Sequence, residues 1–333
     1  MADWRKFFLI RLPLAALVFA LAAEGAARLL QGVTPHRHNV DDLANAVMHD
    51  TRPYRVVLLG DSVTHNVSHK YRIGDPDEVA DLTTHAFAGL PSSLFLLRRY
   101  LETGHRPQHV VLAVSRGIFV DPMDKGMFTY YVASVFTRPD EREFLQKHYA
   151  DDVDYRWRPA ALSVTTRIGE PLFSLLRSPG DAIWAAPDVP SPTPTLETFP
   201  GYDEDLATFR DKLKESTALR PEVRAILEEI CRLSARYSFR LHLVWAPMES
   251  RLHTALQANG NLQRLDAQVS AIFQQAGTAV SIDDSGALQE YPYFDRSLIH
   301  IRGLGWEQQY ALQLKSYIRG FQAPTGTPIT ASK

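Results

Sequence analysis

The sequence predicts an α/β protein in which a mainly parallel sheet is covered by helices on both faces. Three observations support this fold class. Short runs such as RVVLL and HVVLAVS are apolar throughout, which is typical of strands buried on both faces. Segments with helical periodicity lie between these runs. Strands that alternate with helices indicate a parallel sheet, because each helix connects two neighbouring parallel strands.

The predicted elements follow one another from Arg55. RVVLL forms the first strand, ADLTTHAFAG contains the second and HVVLAVS forms the third. PSSLFLLRRYLETG predicts a helix before the third strand, because proline opens it, leucines recur at helical spacing and glycine closes it. RPEVRAILEEICRLSARYSF and LQRLDAQVSAIFQQAG predict two further helices, followed by the strands RLHLVWAP and TAVSID respectively. A last helix is predicted in GWEQQYALQLKSYIRGF.

One long segment interrupts the alternation. Residues 121–221 contain an aromatic run and then the proline-rich APDVPSPTPTLETFPGY, so we interpret them as an insertion between the third and fourth strands. Such an insertion either shapes a site or is a surface excursion. The predicted domain covers residues 54–321. It follows a juxtamembrane linker at 31–53 and precedes a disordered tail at 322–333.

The N-terminal residues 1–30 predict a membrane anchor. Two basic residues precede a mostly apolar stretch, Phe7–Ala27, which has about the length of a spanning helix, although Arg11 interrupts it. The uninterrupted part, Leu12–Ala23, also fits a signal peptide, and a buried amphipathic helix is a third interpretation. Because the positive charges come first, an anchor in the cytoplasmic membrane would place the remaining chain on the periplasmic, extracytoplasmic side.

The composition excludes several classes of function. The chain has 333 residues and a formal net charge of −2. It therefore lacks the excess of basic residues that would indicate nucleic-acid binding. Its single cysteine, Cys231, excludes an internal disulfide and a multi-cysteine metal site. His65 and His69 would share a helix face, as a zinc pair does, but no clear third ligand follows them. We therefore expect neither a metal nor another cofactor.

A candidate nucleophile follows the first strand. In RVVLLGDSVTHNV, Ser62 lies in the turn between this strand and a predicted helix. Ligands bind beyond the carboxyl ends of parallel strands, and a helix N-terminus offers N–H groups to a developing oxyanion. A nucleophilic serine needs a base, usually a histidine. The alternative is that Ser62 is only the N-cap of the helix.

A candidate base precedes the last predicted helix. His300 lies in YFDRSLIHIRGLG, and the acid Asp295 lies five positions before it. In the predicted topology, this loop and the turn at Ser62 can meet at one edge of the sheet. Asp283 and Asp284 are weaker candidates for the acid, and a Ser–His pair without an acid is a further alternative.

These motifs resemble those of the SGNH (GDSL-type) hydrolase superfamily. LLGDSVT resembles its first block, which implies that Ser62 is the nucleophile. HAFAGLPSS resembles the second block, which implies that the amide of Gly89 serves the oxyanion hole. FDRSLIHIRGLG resembles the last block, which implies that His300 is the base. The resemblance covers residues 54–321 apart from the insertion, and it implies a flavodoxin-like three-layer α/β/α fold.

Two positions depart from the family pattern. The third block normally carries an asparagine that completes the oxyanion hole, whereas the aligned VLAVSRGIF has Ser115 and Arg116. The last block normally has its acid three residues before the histidine, where this chain has Ser297. Ser115 and Arg116 therefore become candidates for oxyanion or substrate binding, and Arg116 could meet an anionic substrate. His65 lies close enough to Ser62 to be a further substrate-binding candidate.

The resemblance implies acyl transfer. With its predicted anchor, its single domain and the missing asparagine, the chain most resembles the membrane-anchored acyltransferase-like branch of this superfamily. That branch includes alginate acetylation proteins and the D-alanyl transfer protein of teichoic acids. This implies a serine O-acyltransferase or esterase acting on an envelope or exported polysaccharide. The implied partners are the glycan, the membrane and a membrane-bound O-acyltransferase. Trp245 could stack on a sugar or pack in the core. The alternative function is a non-catalytic binding or assembly subunit on the same fold.

Overall fold

A computed structural model provides the strands and most of the helices that position the candidate site. It describes residues 4, 7–15, 18–19, 39–73, 77–84, 88–120, 125–133, 135–152, 207, 218–278, 280–283 and 304–321. The chain divides into two compact units. One comprises Met1–Arg37 with Asp154–Pro190, and the other comprises His38–Val153 with Ser191–Lys333.

The second unit is built on a five-stranded sheet. Its strands are β1 (Val56–Gly60), β2 (Val79–Asp81), β3 (His109–Val114), β4 (Arg240–Trp245) and β5 (Val280–Asp283). They lie in the order β2-β1-β3-β4-β5, and all four pairings are parallel. This is the flavodoxin-like order, with its topological switch point between β1 and β3. The predicted α/β fold with a parallel sheet is therefore confirmed.

Burial along the strands agrees with their apolar sequences. Every residue of β1 and β3 is buried, as the continuous apolar runs predict for the middle of a parallel sheet. β5 lies at the edge of the sheet and is only partly buried. The sheet core is therefore centred on β1 and β3, the two strands that border the switch point.

Helices connect the strands on both faces. They are α1 (Asn39–Ala46), α2 (Ser62–Tyr71), α3 (Gly89–Glu102), α4 (Lys125–Phe128), α5 (Pro139–His148), α6 (Pro221–Tyr237), α7 (Ser250–Ala258), α8 (Asn261–Gln275) and α9 (Leu304–Gly320). A 3₁₀ turn at Arg116–Phe119 follows β3, and a π-helical segment at Thr129–Ala133 follows α4.

Two of these helices, α2 and α9, pack together against one face of the sheet. Leu58 of β1 shares a buried apolar cluster with Val63 and Val67 of α2 and with Leu314 of α9. Strands β2 and β3 lie on opposite sides of β1, and such crossovers are right-handed, so α2 and α3 cover opposite faces. On its face, α3 packs against α6. The first turn of α2 is thus fixed by the sheet and by α9.

A buried ion pair attaches part of the predicted insertion to the domain. Arg99 of α3 donates from Nε to Glu141 Oε1 at 2.6 Å and from Nη2 to Oε2 at 2.8 Å. Both side chains are buried, with Glu141 only 1% exposed. Glu141 belongs to α5, so this helix of the segment between β3 and β4 is docked on α3. The boundaries assigned from the sequence to the domain, linker, insertion and tail stay predictions.

The prediction of a single-pass membrane anchor was wrong, and the extracytoplasmic placement that depended on it is withdrawn. A search of the described residues finds no helix with the length and apolar character that crossing a membrane requires. Phe7–Arg11 forms a five-residue π-helix, and Arg11 places a charge where the apolar stretch would have to continue. Residues 1–3, 5–6, 16–17 and 20–30 of the predicted segment lie outside the described residues.

Candidate active site

The turn after β1 places Ser62 at the carboxyl edge of the sheet. β1 ends at Gly60, and Ser62 is the first residue of α2. Asp61 is the N-cap, because its Oδ1 accepts a hydrogen bond from the N–H of Val63 at 3.1 Å. The interpretation of Ser62 as the cap is therefore wrong. Ser62 as a whole residue is 4% exposed, and it lies in the first turn, where backbone N–H groups have no partner within the helix.

Gly60 and Thr64 hold this turn close to β3. A Cβ atom at Gly60 would lie 2.7 Å from the carbonyl oxygen of Ala113 and 2.7 Å from Thr64 Cβ. Thr64 Oγ1 donates to the same carbonyl oxygen at 2.8 Å and lies 3.1 Å from the hydroxyl of Tyr310 in α9. Since the Thr64 hydrogen points to Ala113, Tyr310 is the donor in the second bond. The backbone that carries Ser62 is therefore fixed from two sides.

Asp61 connects the turn to the end of β3. Its Oδ2 accepts hydrogen bonds from the N–H of Ser115 at 2.7 Å and from Ser115 Oγ at 2.5 Å. Asp61 is 3% exposed, and burial raises the pKa of its carboxyl although these hydrogen bonds act in the opposite direction. Asp61 thus links the two chain segments at the switch point. Sequence reasoning missed this residue, although an acid just before a helix is an N-cap signal.

The two residues at the position of the missing asparagine have partners within the fold. Ser115 donates its hydroxyl hydrogen to Asp61. Arg116 is 3% exposed and donates to the carboxylate of Asp266 from Nε at 3.3 Å and from Nη2 at 3.1 Å. Its guanidinium lies 4.7 Å from the ring centroid of Trp245. These contacts favour a structural role for Arg116, and its binding to an anionic substrate stays a prediction.

Trp245, at the end of β4, was a candidate for stacking on a sugar. Trp245 is fully buried and packs edge-on against Phe119 at 5.0 Å, which favours core packing over stacking on a sugar.

Gly89 begins α3 with a φ of +56°, a conformation that favours glycine. Since α3 follows β2, its N-terminus lies at the same sheet edge as Ser62. The oxyanion role of the Gly89 amide stays a prediction.

His65 lies one helical turn after Ser62 and is 8% exposed. Its Nδ1 is 3.2 Å from Thr83 Oγ1, and Thr83 donates to Asp81 Oδ1 at 2.6 Å. The structure thus brings His65 of α2 together with a threonine and a carboxylate at the end of β2. Sequence reasoning singled out His65 but missed Thr83 and Asp81. The polar residues that end the apolar run of β2 were the available signal.

His300 and Asp295 lie outside the described residues, as do Ser297 and Asp284. His300 precedes the first residue of α9, Leu304, by four positions. Their assignment as base and acid stays a prediction.

Comparisons with known proteins add a likeness but no family. No protein-family model matches the chain, and no curated protein matches it. Among solved structures, the chain aligns with one provisionally described as a platelet activating factor from Streptococcus pneumonia. The two share 12% sequence identity at a TM-score of 0.39, and the alignment covers 90% of this chain and 99% of the other. This likeness assigns neither a family nor an activity to the chain.

Proposed function

We propose that the chain is a serine hydrolase or O-acyltransferase of the SGNH type that reacts through an acyl-Ser62 intermediate. The observation that carries this proposal is the position of Ser62. It is the first residue of α2 at the carboxyl edge of β1, and Asp61 rather than Ser62 caps the helix. Its place at the carboxyl end of a strand, in a turn that Gly60 and Asp61 fix, supports the assignment of Ser62 as the nucleophile.

The proposed reaction has two halves. In the first, Ser62 Oγ attacks the carbonyl carbon of an acyl ester while His300 takes the hydroxyl proton and passes it to the departing alcohol. The amides of Ser62 and Gly89 stabilise the oxyanion, and Asp295 orients the imidazole. In the second half, a hydroxyl of the acceptor or of water attacks acyl-Ser62. The ester or acid leaves, and Ser62 Oγ regains a proton.

We propose O-acyl groups of a polysaccharide as the substrate class and a membrane-bound O-acyltransferase as the partner. The support is the resemblance of LLGDSVT, HAFAGLPSS and FDRSLIHIRGLG to the SGNH blocks, together with the absence of asparagine at Ser115.

The test compares ester turnover by the full chain with that of two variants. Ser62→Ala and His300→Ala should each reduce hydrolysis of an activated acetyl ester by about 10³-fold or more, because each removes a group that takes part in bond making. The free energy of unfolding should change by about 1 kcal/mol or less. Full activity in either variant would overturn the proposal.

Ser250→Ala is a matched control. Ser250 is the first residue of α7, and the acid before it, Glu249, caps that helix by accepting from the N–H of Leu252 at 2.7 Å. It therefore repeats the local structure of Ser62 after another strand. Turnover by Ser250→Ala should equal that of the wild type.

A second candidate is a non-catalytic glycan-binding subunit. It is favoured by Ser115, which stands where the family has asparagine and donates its hydroxyl hydrogen to Asp61. This candidate predicts glycan binding by both the wild type and Ser62→Ala, without ester turnover by either. Turnover that depends on Ser62 would exclude it.

A further inference from the structure

The hydrogen-bond chain behind His65 defines which nitrogen of its ring carries the proton. Thr83 has one hydroxyl hydrogen, and the 2.6 Å contact assigns it to the carboxylate of Asp81. Thr83 Oγ1 is therefore an acceptor toward His65 Nδ1, 3.2 Å away. The neutral imidazole is then the Nδ1–H tautomer, and Nε2 is its proton-accepting atom.

Buried neighbours keep this chain in place. Thr83 is 0% exposed, and its backbone N–H also donates to Asp81 Oδ1 at 3.0 Å. Since the Thr83 hydrogen points to Asp81, the Ser68 hydroxyl is the donor toward Thr83 Oγ1 at 3.1 Å and shares its one hydrogen with the carbonyl oxygen of His65 at 3.2 Å. A histidine whose second nitrogen is oriented through a carboxylate is the arrangement that general bases use. Here a threonine stands between the imidazole and the acid.

The helix geometry directs His65 toward the candidate nucleophile. Side chains three positions apart share a helix face, and their Cβ atoms are about 5–6 Å apart. The Cα–Cβ bonds of a helix tilt toward its N-terminus, so the side chain of His65 covers the turn that begins with Ser62. The hydrogen bond to Thr83 places the ring on the β2 side of that turn.

We propose that His65 is a second proton-transfer group of this site and that Thr83 and Asp81 are its positioning residues. The proposal rests on the proposed function. His65 Nε2 takes the proton of the acceptor hydroxyl while the oxygen of that hydroxyl forms a bond to the acyl carbon of acyl-Ser62. The bond between that carbon and Ser62 Oγ then breaks, and the proton passes from the imidazolium to Oγ. Protons and charge balance in this step. His65 is thus the base of the second half of the reaction, and His300 is the base of the first half, in which acyl-Ser62 forms.

The test measures the formation and decay of acyl-Ser62 separately. The full chain is acetylated with p-nitrophenyl acetate, freed of excess ester and mixed with glycerol as the hydroxyl acceptor, and intact mass follows the adduct. In His65→Gln, the adduct should form within about threefold of the wild-type rate but decay about 100-fold more slowly, the lower range of general-base effects. Thr83→Val should slow decay about tenfold, and Thr83→Ser should restore it.

His69→Gln is the matched control. Its exposed ring lies 4.1 Å from that of His65, one turn further along α2, so this variant removes the neighbouring ring but leaves the bond to Thr83. Adduct decay should equal that of the wild type. A merely structural role of His65 would slow formation as much as decay, and that result would overturn the inference. If His65→Gln does not fold, Thr83→Val decides in its place.

Two outcomes separate this inference from the proposed function. If no variant and no wild-type protein forms an adduct at Ser62, the proposed function is overturned and the inference with it. If the wild type forms the adduct and His65→Gln loses it as fast as the wild type does, only the inference is overturned.

Discussion

Replacing Gly60 by alanine should destabilise the protein by about 3 kcal/mol. The new methyl group would lie 2.7 Å from the Ala113 carbonyl oxygen and 2.7 Å and 2.9 Å from Thr64 Cβ and Cγ2. These contacts are too short for carbon, and Thr64 cannot turn away without losing its hydrogen bonds to Ala113 and Tyr310. Overpacking of a well-packed core costs about 1–3 kcal/mol, and a clash with backbone belongs at the upper end of this range.

Urea unfolding followed by circular dichroism measures this change. Gly320→Ala is the control, because a Cβ there meets nothing within 4 Å and alanine is the better helix former, so it should be neutral or stabilising by up to about 1 kcal/mol. The variant at Gly60 should also slow acylation of Ser62, since α2 must move away from β3. Gly60→Ala with a free energy of unfolding within 1 kcal/mol of the wild type would refute the reasoning.

Two further predictions concern buried charge. Burial, and then repulsion from His109 and Arg240, lowers the pKa of His242 to about 4 from 6.5, so the unfolded chain binds more protons between these values. The free energy of unfolding, measured by urea unfolding at a series of pH values, should therefore fall by about 1–2 kcal/mol as pH drops across this window, which is less than the full shift implies because solvent near the imidazole screens its charge. In His242→Gln the unfolding free energy should depend less steeply on pH in this window, and an equally steep dependence would contradict the prediction. Arg99→Met should cost about 3–5 kcal/mol, because it leaves the buried Glu141 without its cationic partner and with only the hydrogen bond from the N–H of Arg138. Adding Glu141→Leu should recover part of this loss in the same assay, and a loss under 1 kcal/mol in Arg99→Met alone would contradict the prediction.

The strands were predictable because burial on both faces requires continuous apolar runs, and such runs can be seen in the sequence. RVVLL, HVVLAVS and RLHLVWAP each contain a strand of the sheet. The turn at Ser62 was predictable for a similar reason, since glycine and an acid separate a strand from a helix. The predicted anchor was wrong because hydropathy over residues 7–27 describes composition alone: Phe7–Arg11 forms a π-helix that ends on the charged Arg11, and no helix among the described residues is long and apolar enough to cross a membrane.

The partners of the site residues could not be predicted, because they are distant in sequence. The bond between Asp61 and Ser115 joins residues 54 positions apart, and that between Arg116 and Asp266 joins residues 150 positions apart. Such pairs depend on strand order and on the side on which each helix packs. Residue type alone gave no reason to prefer these partners over other acids and hydroxyls in the chain.

Acylation of Ser62 itself tests the central claim most directly. The full chain and its Ser62→Ala variant are incubated with an activated acetyl ester, and the intact mass and peptide masses of both are recorded. We predict one acetyl adduct on the wild type, located at Ser62, and none on the variant. An adduct of equal yield on both proteins, or on neither, would contradict the account of Ser62 as the nucleophile.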